Sequence, residues 1–255
     1  MNQRSTPPRA IGLVPARSGS KRVPDKNVRR LGDHPVIAYA IATAIESGVF
    51  ETVVVSTDDE RYADIARHYG AEVPFLRPAE MATSTSPDIE WITYTIGRLE
   101  AEGRRFDCFS ILRPTSPFRR AETIRRAWKQ FLAEEGIDSL RAVEKCREHP
   151  GKMWIVRGRR MVPLLPFGPP EQPWHSTQYA ALPEVYIQNA SLEIAWTRVI
   201  ASGGNIAGTV VTPFLTEGHE GTDINDELDW WHIQHLLERG EAVLPPVPTP
   251  PYPGD

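Results

Sequence analysis

The stretch Leu13-Val14-Pro15-Ala16-Arg17-Ser18-Gly19-Ser20-Lys21-Arg22-Val23-Pro24-Asp25-Lys26-Asn27 decides how the rest of the chain is read. The apolar run before it, Ala10 to Val14, has the composition of a buried first strand. It opens into a loop that crowds Arg17, Lys21, Arg22 and Lys26 around Ser18, Gly19 and Ser20. Small residues there let backbone N–H groups turn toward an anion. Lysine adds point charge and arginine a planar fork for non-bridging oxygens, so the loop suits a triphosphate. The alternative at this level is an exposed basic loop without a ligand.

Composition narrows the partners. The 255 residues carry a formal net charge of −4, so no global basic excess favours nucleic acid, and the basic loop is a local feature suited to a small anion. Cys108 and Cys146 match no metal or redox spacing, which predicts reduced thiols. Met1 to Arg9 is polar with no apolar run behind it, and no apolar stretch is long enough to span a bilayer. A cytoplasmic chain without leader or membrane anchor is expected.

The first half alternates strand and helix signals. Val36, Ile37, Ala40, Ile41, Ala44 and Ile45 recur at helical spacing, and Gly48 follows as a cap. Thr52–Ser56 reads as a strand, Glu60–Tyr69 as a helix capped by Thr57-Asp58-Asp59, and Glu72–Phe75 as a short strand. Ser86-Pro87 starts a helix with Ile89, Ile92, Ile96 and Leu99 on one side. The strand Cys108–Leu112, the turn Arg113–Pro117, a helix carrying Ile124, Trp128, Phe131 and Leu132, and the strand Ser139–Val143 complete the series. Such βα repeats imply a parallel, doubly wound α/β sheet with helices on both faces. The loops at Ala16–Asn27, Arg77 and Arg113–Arg119 then gather at the carboxyl edge, where ligands bind.

Residues 8–143 are therefore expected to form an α/β core, and residues 144–193 to break its pattern. That insertion is rich in Pro and Gly, with a hairpin around Arg157-Gly158, and its Trp154, Phe167, Trp174 and Tyr179 are too apolar for a free linker. It either packs on a partner subunit or folds as a flap over its own site. Residues 194–244 return to the core through Leu192–Trp196, a short helix near Arg198–Ser202, a strand Thr209–Thr212 and a helix Glu227–Arg239, with Trp230 and Trp231 as core residues. Residues 245–255 read as an extended, mobile proline-rich tail.

A second chemical element is Gly221-Thr222-Asp223-Ile224-Asn225-Asp226-Glu227-Leu228-Asp229. In an extended segment Asp223 and Asn225 fall on one side, an arrangement suited to Mg²⁺, which takes one or two carboxylates and completes its shell with water and phosphate oxygens. Asp226 and Asp229 alternatively serve as caps of the last helix.

The ordered blocks Pro15–Arg22 with Lys26-Asn27, Val54–Asp58, Phe75–Glu80, Pro114–Arg119 and Asp223–Asp229 resemble the acylneuraminate cytidylyltransferases. The resemblance implies a three-layer αβα nucleotidyltransferase (Rossmann-like) fold, mainly parallel, with an inserted dimerisation segment and a homodimer. It implies that CTP is coupled to an acidic sugar to give a CMP-sugar and pyrophosphate. Arg17, Lys26 and Asp223 would then be catalytic. Arg17, Ser18, Gly19, Ser20, Lys21, Asn27 and Arg77 would hold CTP, and Asp223 and Asn225 would hold Mg²⁺. Arg113, Gln188 and Asn189 would meet the acceptor.

Departures from the family bear on the acceptor. Arg113 stands where relatives usually have glutamine, Tyr186–Ser191 lacks an arginine they typically carry, and Trp174–Gln178 replaces a basic patch. Asn225 stands where many relatives have a second metal carboxylate. Another nonulosonate, a 3-deoxy-octulosonate or a phosphonate is thus an alternative acceptor, and a catalytically weak nucleotide-binding scaffold is an alternative from another class. His175 and Lys152 are further polar candidates in the insertion.

Overall fold

The computed structural model describes residues 7–253. Residues 1–6 and 254–255, with the leader expectation and the last two tail positions, lie outside the described residues. In chain order the elements are β1 (Ala10–Pro15), β2 (Arg30–Leu31), β3 (His34–Pro35), α1 (Val36–Ser47), β4 (Thr52–Ser56), α2 (Glu60–His68), α3 (Asp88–Ala101), β5 (Cys108–Ile111) and α4 (Ala121–Ala133). Then come β6 (Ser139–Lys145), β7 (Trp154–Arg157), β8 (Arg160–Pro163), β9 (Tyr186–Trp196), α5 (Arg198–Ala201), β10 (Val211–Leu215) and α6 (Glu227–Glu238).

The chain divides into two compact units. The larger runs to Ala142 and resumes at Asn189; the smaller is Val143–Gln188. The larger holds a sheet ordered β10-β6-β9-β5-β1-β4. Toward one end of the sheet β1 pairs in parallel with β4 and β5, and all three are short apolar runs of the kind that both faces of a covered sheet require. One face buries Ile37 and Ile41 of α1, Ile65 of α2 and Phe131 of α4; the other buries Trp91, Ile92, Ile96 and Leu99 of α3. These are the three layers that alternating βα signals predict. Gly48 ends α1 in the left-handed region at φ 65°, with its N–H on the Ile45 carbonyl.

The antiparallel strand β9 matters most for the site. Its register with β5 sets Ile111 against Glu193 and Cys108 against Trp196, so β9 presents its early residues at the edge where β1, β4 and β5 end. A chain position far from the βα series thereby reaches the ligand edge.

Several elements differ from the sequence reading. Glu72–Phe75 makes only an isolated bridge, Val54 to Glu72, because Pro74 has no N–H for a ladder. The last strand begins at Val211 rather than Thr209. The N–H groups of Thr209 and Val210 go instead to the Asp138 carboxylate, at 2.8 and 3.1 Å, and hold its pKa down to about 2. Trp230 is core, but Trp231 is exposed.

The proline-rich tail, expected to be mobile, is laid along α2. The His68 Nε2 lies 2.8 Å from the Pro250 carbonyl, the rings of His68 and Tyr252 meet edge to face, and the Tyr252 N–H donates to the Tyr69 hydroxyl at 3.0 Å. An extended chain with few N–H groups loses little by lacking a ladder, and its rings supply the attachment. Truncation after Pro248 is expected to lower unfolding stability by about 2–3 kcal/mol in denaturant titration, from the two lost hydrogen bonds and the aromatic contact.

The smaller unit contains the expected hairpin, β7 against β8 in antiparallel register from Trp154–Pro163 to Arg157–Arg160. Its Lys152 ammonium is spent on the carbonyls of His175 and Thr177, at 3.2 and 2.5 Å. The His175 ring packs on Trp154. Cys108 is buried on β5, where its thiol donates to the Arg9 carbonyl at 3.8 Å, and Cys146 is half-buried. Among the described residues no helix is long and apolar enough to cross a membrane.

Candidate active site

The carboxyl ends of β1, β4 and β5 open into a cavity of about 350 Å³ within the larger unit, a volume within the range of small-ligand sites. It is lined by Arg17, Ser20, Lys26, Asn27, Arg77, Asp88, Arg113, Ala190, Asp223 and Asn225, among others. Eight residues singled out from sequence thus line one cavity: Arg17, Ser20, Lys26, Asn27, Arg77, Arg113, Asp223 and Asn225.

The loop after β1 is held from three sides. Gly19 takes φ 66°, a conformation that glycine adopts without steric cost. Asn27 is buried, and its Nδ2 donates to the Arg17 carbonyl at 3.1 Å, so its amide shapes the loop as well as facing the cavity. Asp58, two residues beyond β4, accepts from both the N–H and the hydroxyl of Ser18 at 2.7 Å. Ser18 is therefore not an open phosphate donor: its groups tie the loop to β4. Gly19 and Lys21 are exposed and do not line the cavity. Asp58→Asn keeps the shape but exchanges both charge-assisted bonds for neutral ones, with the Ser18 hydroxyl turned to accept from the NH₂, and is expected to weaken nucleotide binding about tenfold in a titration, the equivalent of one such bond.

Lys26 crosses to the second motif. Its Nζ donates to the Ile224 carbonyl at 2.8 Å, while the Ile224 N–H donates to the Thr115 carbonyl at 2.9 Å, so residue 224 pins the acidic segment between two loops. Burial lowers the Lys26 pKa; nearby Asp223 opposes this, and Arg22 and Arg17 add to it. Asp223 has a buried Oδ1 without a hydrogen-bond partner. A buried carboxylate oxygen left unpaired is rare in a folded chain and fits a cation or donor arriving with substrate. Asp226 and Asp229 serve the capping alternative instead. Asp226 accepts from the N–H groups of Leu228 and Asp229, and Asp229 from those of Asn225 and Asp226.

Arg77 is buried, bonded through Nε and Nη2 to the Ser56 hydroxyl and carbonyl, and stacked over Trp91 at 4.7 Å. Burial lowers its pKa to about 10, against the pull of Asp58 and Asp88. Arg113 belongs to a charge chain that the sequence does not announce. Its Nη2 meets Asp88 at 2.5 Å and Glu193 at 3.2 Å, and Glu193 also pairs with Arg141. Burial alone would lower the Arg113 pKa, but the two carboxylates outweigh it and hold it above its ordinary value. Its charge is thus already matched within the chain, which limits what it can offer an acceptor carboxylate.

The other expected acceptor residues lie differently. Asn189 spends Nδ2 on the Thr216 hydroxyl at 2.9 Å and Oδ1 on the Ser191 N–H at 3.2 Å, and its neighbour Ala190 faces the cavity. Gln188 belongs to the smaller unit and is exposed. Among the described residues no cluster of three or more His, Cys, Asp or Glu side chains is able to hold a metal alone. A divalent ion at Asp223 and Asn225 therefore needs substrate oxygens and water, as Mg²⁺ at phosphates commonly does.

The sequence model of the cytidylyltransferase family matches residues 11–141. The CMP-N,N'-diacetyllegionaminic acid synthase of Legionella pneumophila is 32% identical over 242 residues, covering 92% of this chain and 99% of that protein. The N-acylneuraminate cytidylyltransferase of Escherichia coli is 41% identical over 138 residues, which is 54% of this chain and 32% of that one. Among solved structures, a CMP:2-keto-3-deoxy-manno-octonic acid synthetase complexed with CTP superposes with a TM-score of 0.65 at 13% identity, covering 91% of this chain and 99% of that one. A 4-diphosphocytidyl-2C-methyl-D-erythritol synthase from Anaerococcus prevotii gives 0.61 at 12% identity, covering 91% and 99%. At such identities these structures show the shared fold.

Proposed function

The chain belongs to the cytidylyltransferase family, a family of nucleotidyltransferase enzymes, and from that premise we propose that it couples CTP to a nonulosonate, an acidic sugar of the sialic acid type. The observation that carries the reading is the juxtaposition, in one cavity, of Arg17, Lys26 and Arg77 with the unpaired oxygen of Asp223. The relatives named for CMP-legionaminic and N-acylneuraminic acid chemistry support the acceptor class.

The reaction follows from this placement. The acceptor's anomeric hydroxyl oxygen forms a bond to the α-phosphorus of CTP, the bond from that phosphorus to the bridging oxygen breaks, and pyrophosphate leaves with the electron pair. The hydroxyl proton is released to solvent. Arg17 and Lys26 line the triphosphate end and oppose the charge that grows on the leaving group. Arg77, rigid on Ser56 and Trp91, places the nucleoside with Asn27. Arg113 and Ala190 then form the acceptor side. Asp223 and Asn225 would hold Mg²⁺, which would supply charge neutralisation to the phosphates.

In this proposal the protein acts in the cytoplasm as a homodimer. The smaller unit leaves Val156, Met161, Val162 and Phe167 exposed, an apolar surface suited to a second copy. The test is mass spectrometry of products after incubating the protein with CTP, Mg²⁺ and a panel of nonulosonates, 3-deoxy-octulosonate and phosphonates. A CMP adduct of a nonulosonate is expected. An adduct of another member alone would move the acceptor class, and CTP binding without any adduct would favour a scaffold.

A further inference from the structure

Arg119 is 1% exposed, yet burial alone acts on its charge, lowering its pKa to about 9. Its Nη1 donates to two carbonyls, those of Arg113 at 3.1 Å and of Ser191. Its Nε and Nη2 have no partner, and neither do the buried hydroxyls of Ser116 and Ser191. A buried guanidinium without a counter-ion is costly, so packing does not by itself account for an arginine at this position.

The two carbonyls belong to different segments of the chain, each carrying a residue that lines the cavity. Arg113 lies on the turn after β5, and Ser191 follows Ala190 on β9. One nitrogen therefore spans the gap between the two segments that present Arg113 and Ala190. The Arg113 side chain is fixed separately by Asp88 and Glu193. None of the hydrogen bonds of Arg119 goes to the loop after β1 or to the 223–225 segment; the turn meets that segment through the Thr115 carbonyl, two residues from the clamped Arg113 carbonyl, so the direct effect of Arg119 falls on the Arg113 and Ala190 side.

We propose that Arg119 is a positioning residue that sets the spacing of Arg113 and Ala190, and thereby the fit of the acceptor, while leaving the nucleotide subsite unchanged. This rests on the cavity reading above. The test compares Arg119→Lys and Arg119→Met in the full chain, with acceptor KM from turnover and CTP affinity from calorimetry. Loss of the clamp is expected to raise acceptor KM about tenfold in the methionine variant, because small misplacements are costly, with CTP affinity within about twofold. Lysine keeps a charged donor nitrogen on a shorter, unforked stem and so restores the clamp in part; it is expected to fall between wild type and methionine. Equal losses for CTP and acceptor, or no change in either, overturn the proposal.

A second measurement needs no variant. Amide hydrogen exchange of the wild-type chain is expected to show Ser116, Arg119 and Ser191 opening as one cooperative unit; independent opening of turn and strand overturns the clamp. If the wild type forms no CMP adduct, the acceptor reading fails, and the exchange experiment still decides whether the clamp exists.

Discussion

Asp223→Asn is expected to reduce Mg²⁺-dependent turnover by about 10³ or more, a loss of roughly 4 kcal/mol in transition-state stabilisation, while the chain melts near its original temperature. The two halves of that expectation have different origins. Stability is preserved because Oδ1 of Asp223 has no partner to lose, and the amide keeps the size and shape of the carboxyl. Turnover is lost because the amide carries no charge for a divalent ion. It also removes the carboxylate that favours the charged form of Lys26, whose pKa burial already lowers. One substitution thus weakens the metal subsite and the phosphate subsite together. Steady-state rates across a Mg²⁺ titration, beside a thermal melt, check both halves. Undiminished turnover would remove Asp223 from the mechanism, and a large fall in melting temperature would make its role structural.

Parts of this site were legible in the sequence for a physical reason. Arg17, Lys26 and Asn27 follow a short apolar strand, and in a βα series loops after strands meet at one edge. Arg77 and Arg113 follow from the same rule. What could not be read was pairing across long separations. Ser18 looks like a phosphate donor until Asp58, forty residues on, takes its hydroxyl and N–H. The Asp58 position just beyond a strand was the available signal. Arg113 looks like a free cation until the antiparallel course of β9 brings Glu193 beside it, and no local pattern in Tyr186–Trp196 encodes that direction. The tail misled because proline density reads as an unattached end, whereas its docking depends on single rings, Tyr252 and His68.

Lys26→Met is expected to lower turnover by about 10²–10³, the range associated with losing one preorganised group that opposes developing charge. The argument turns on what Lys26 does besides carrying charge. Its ammonium has three donors, and one is committed to the Ile224 carbonyl, the residue that links the loop after β1 to the segment bearing Asp223. Methionine matches the stem but leaves that carbonyl without its bond, so Asp223 is displaced as the phosphate charge is lost. Arginine is not expected to rescue, because its planar fork does not reproduce a point charge at this distance. Stability against pH gives an independent signature. Burial lowers the Lys26 pKa below its ordinary 10.5, so between the folded value and 10.5 the unfolded chain binds more protons and wild-type stability gains a contribution that rises with pH. The methionine variant lacks that contribution. Denaturant titrations of both chains across the alkaline range check the sign: a difference that stays flat would show that Lys26 is not desolvated, and would weaken its assignment to a protected phosphate subsite.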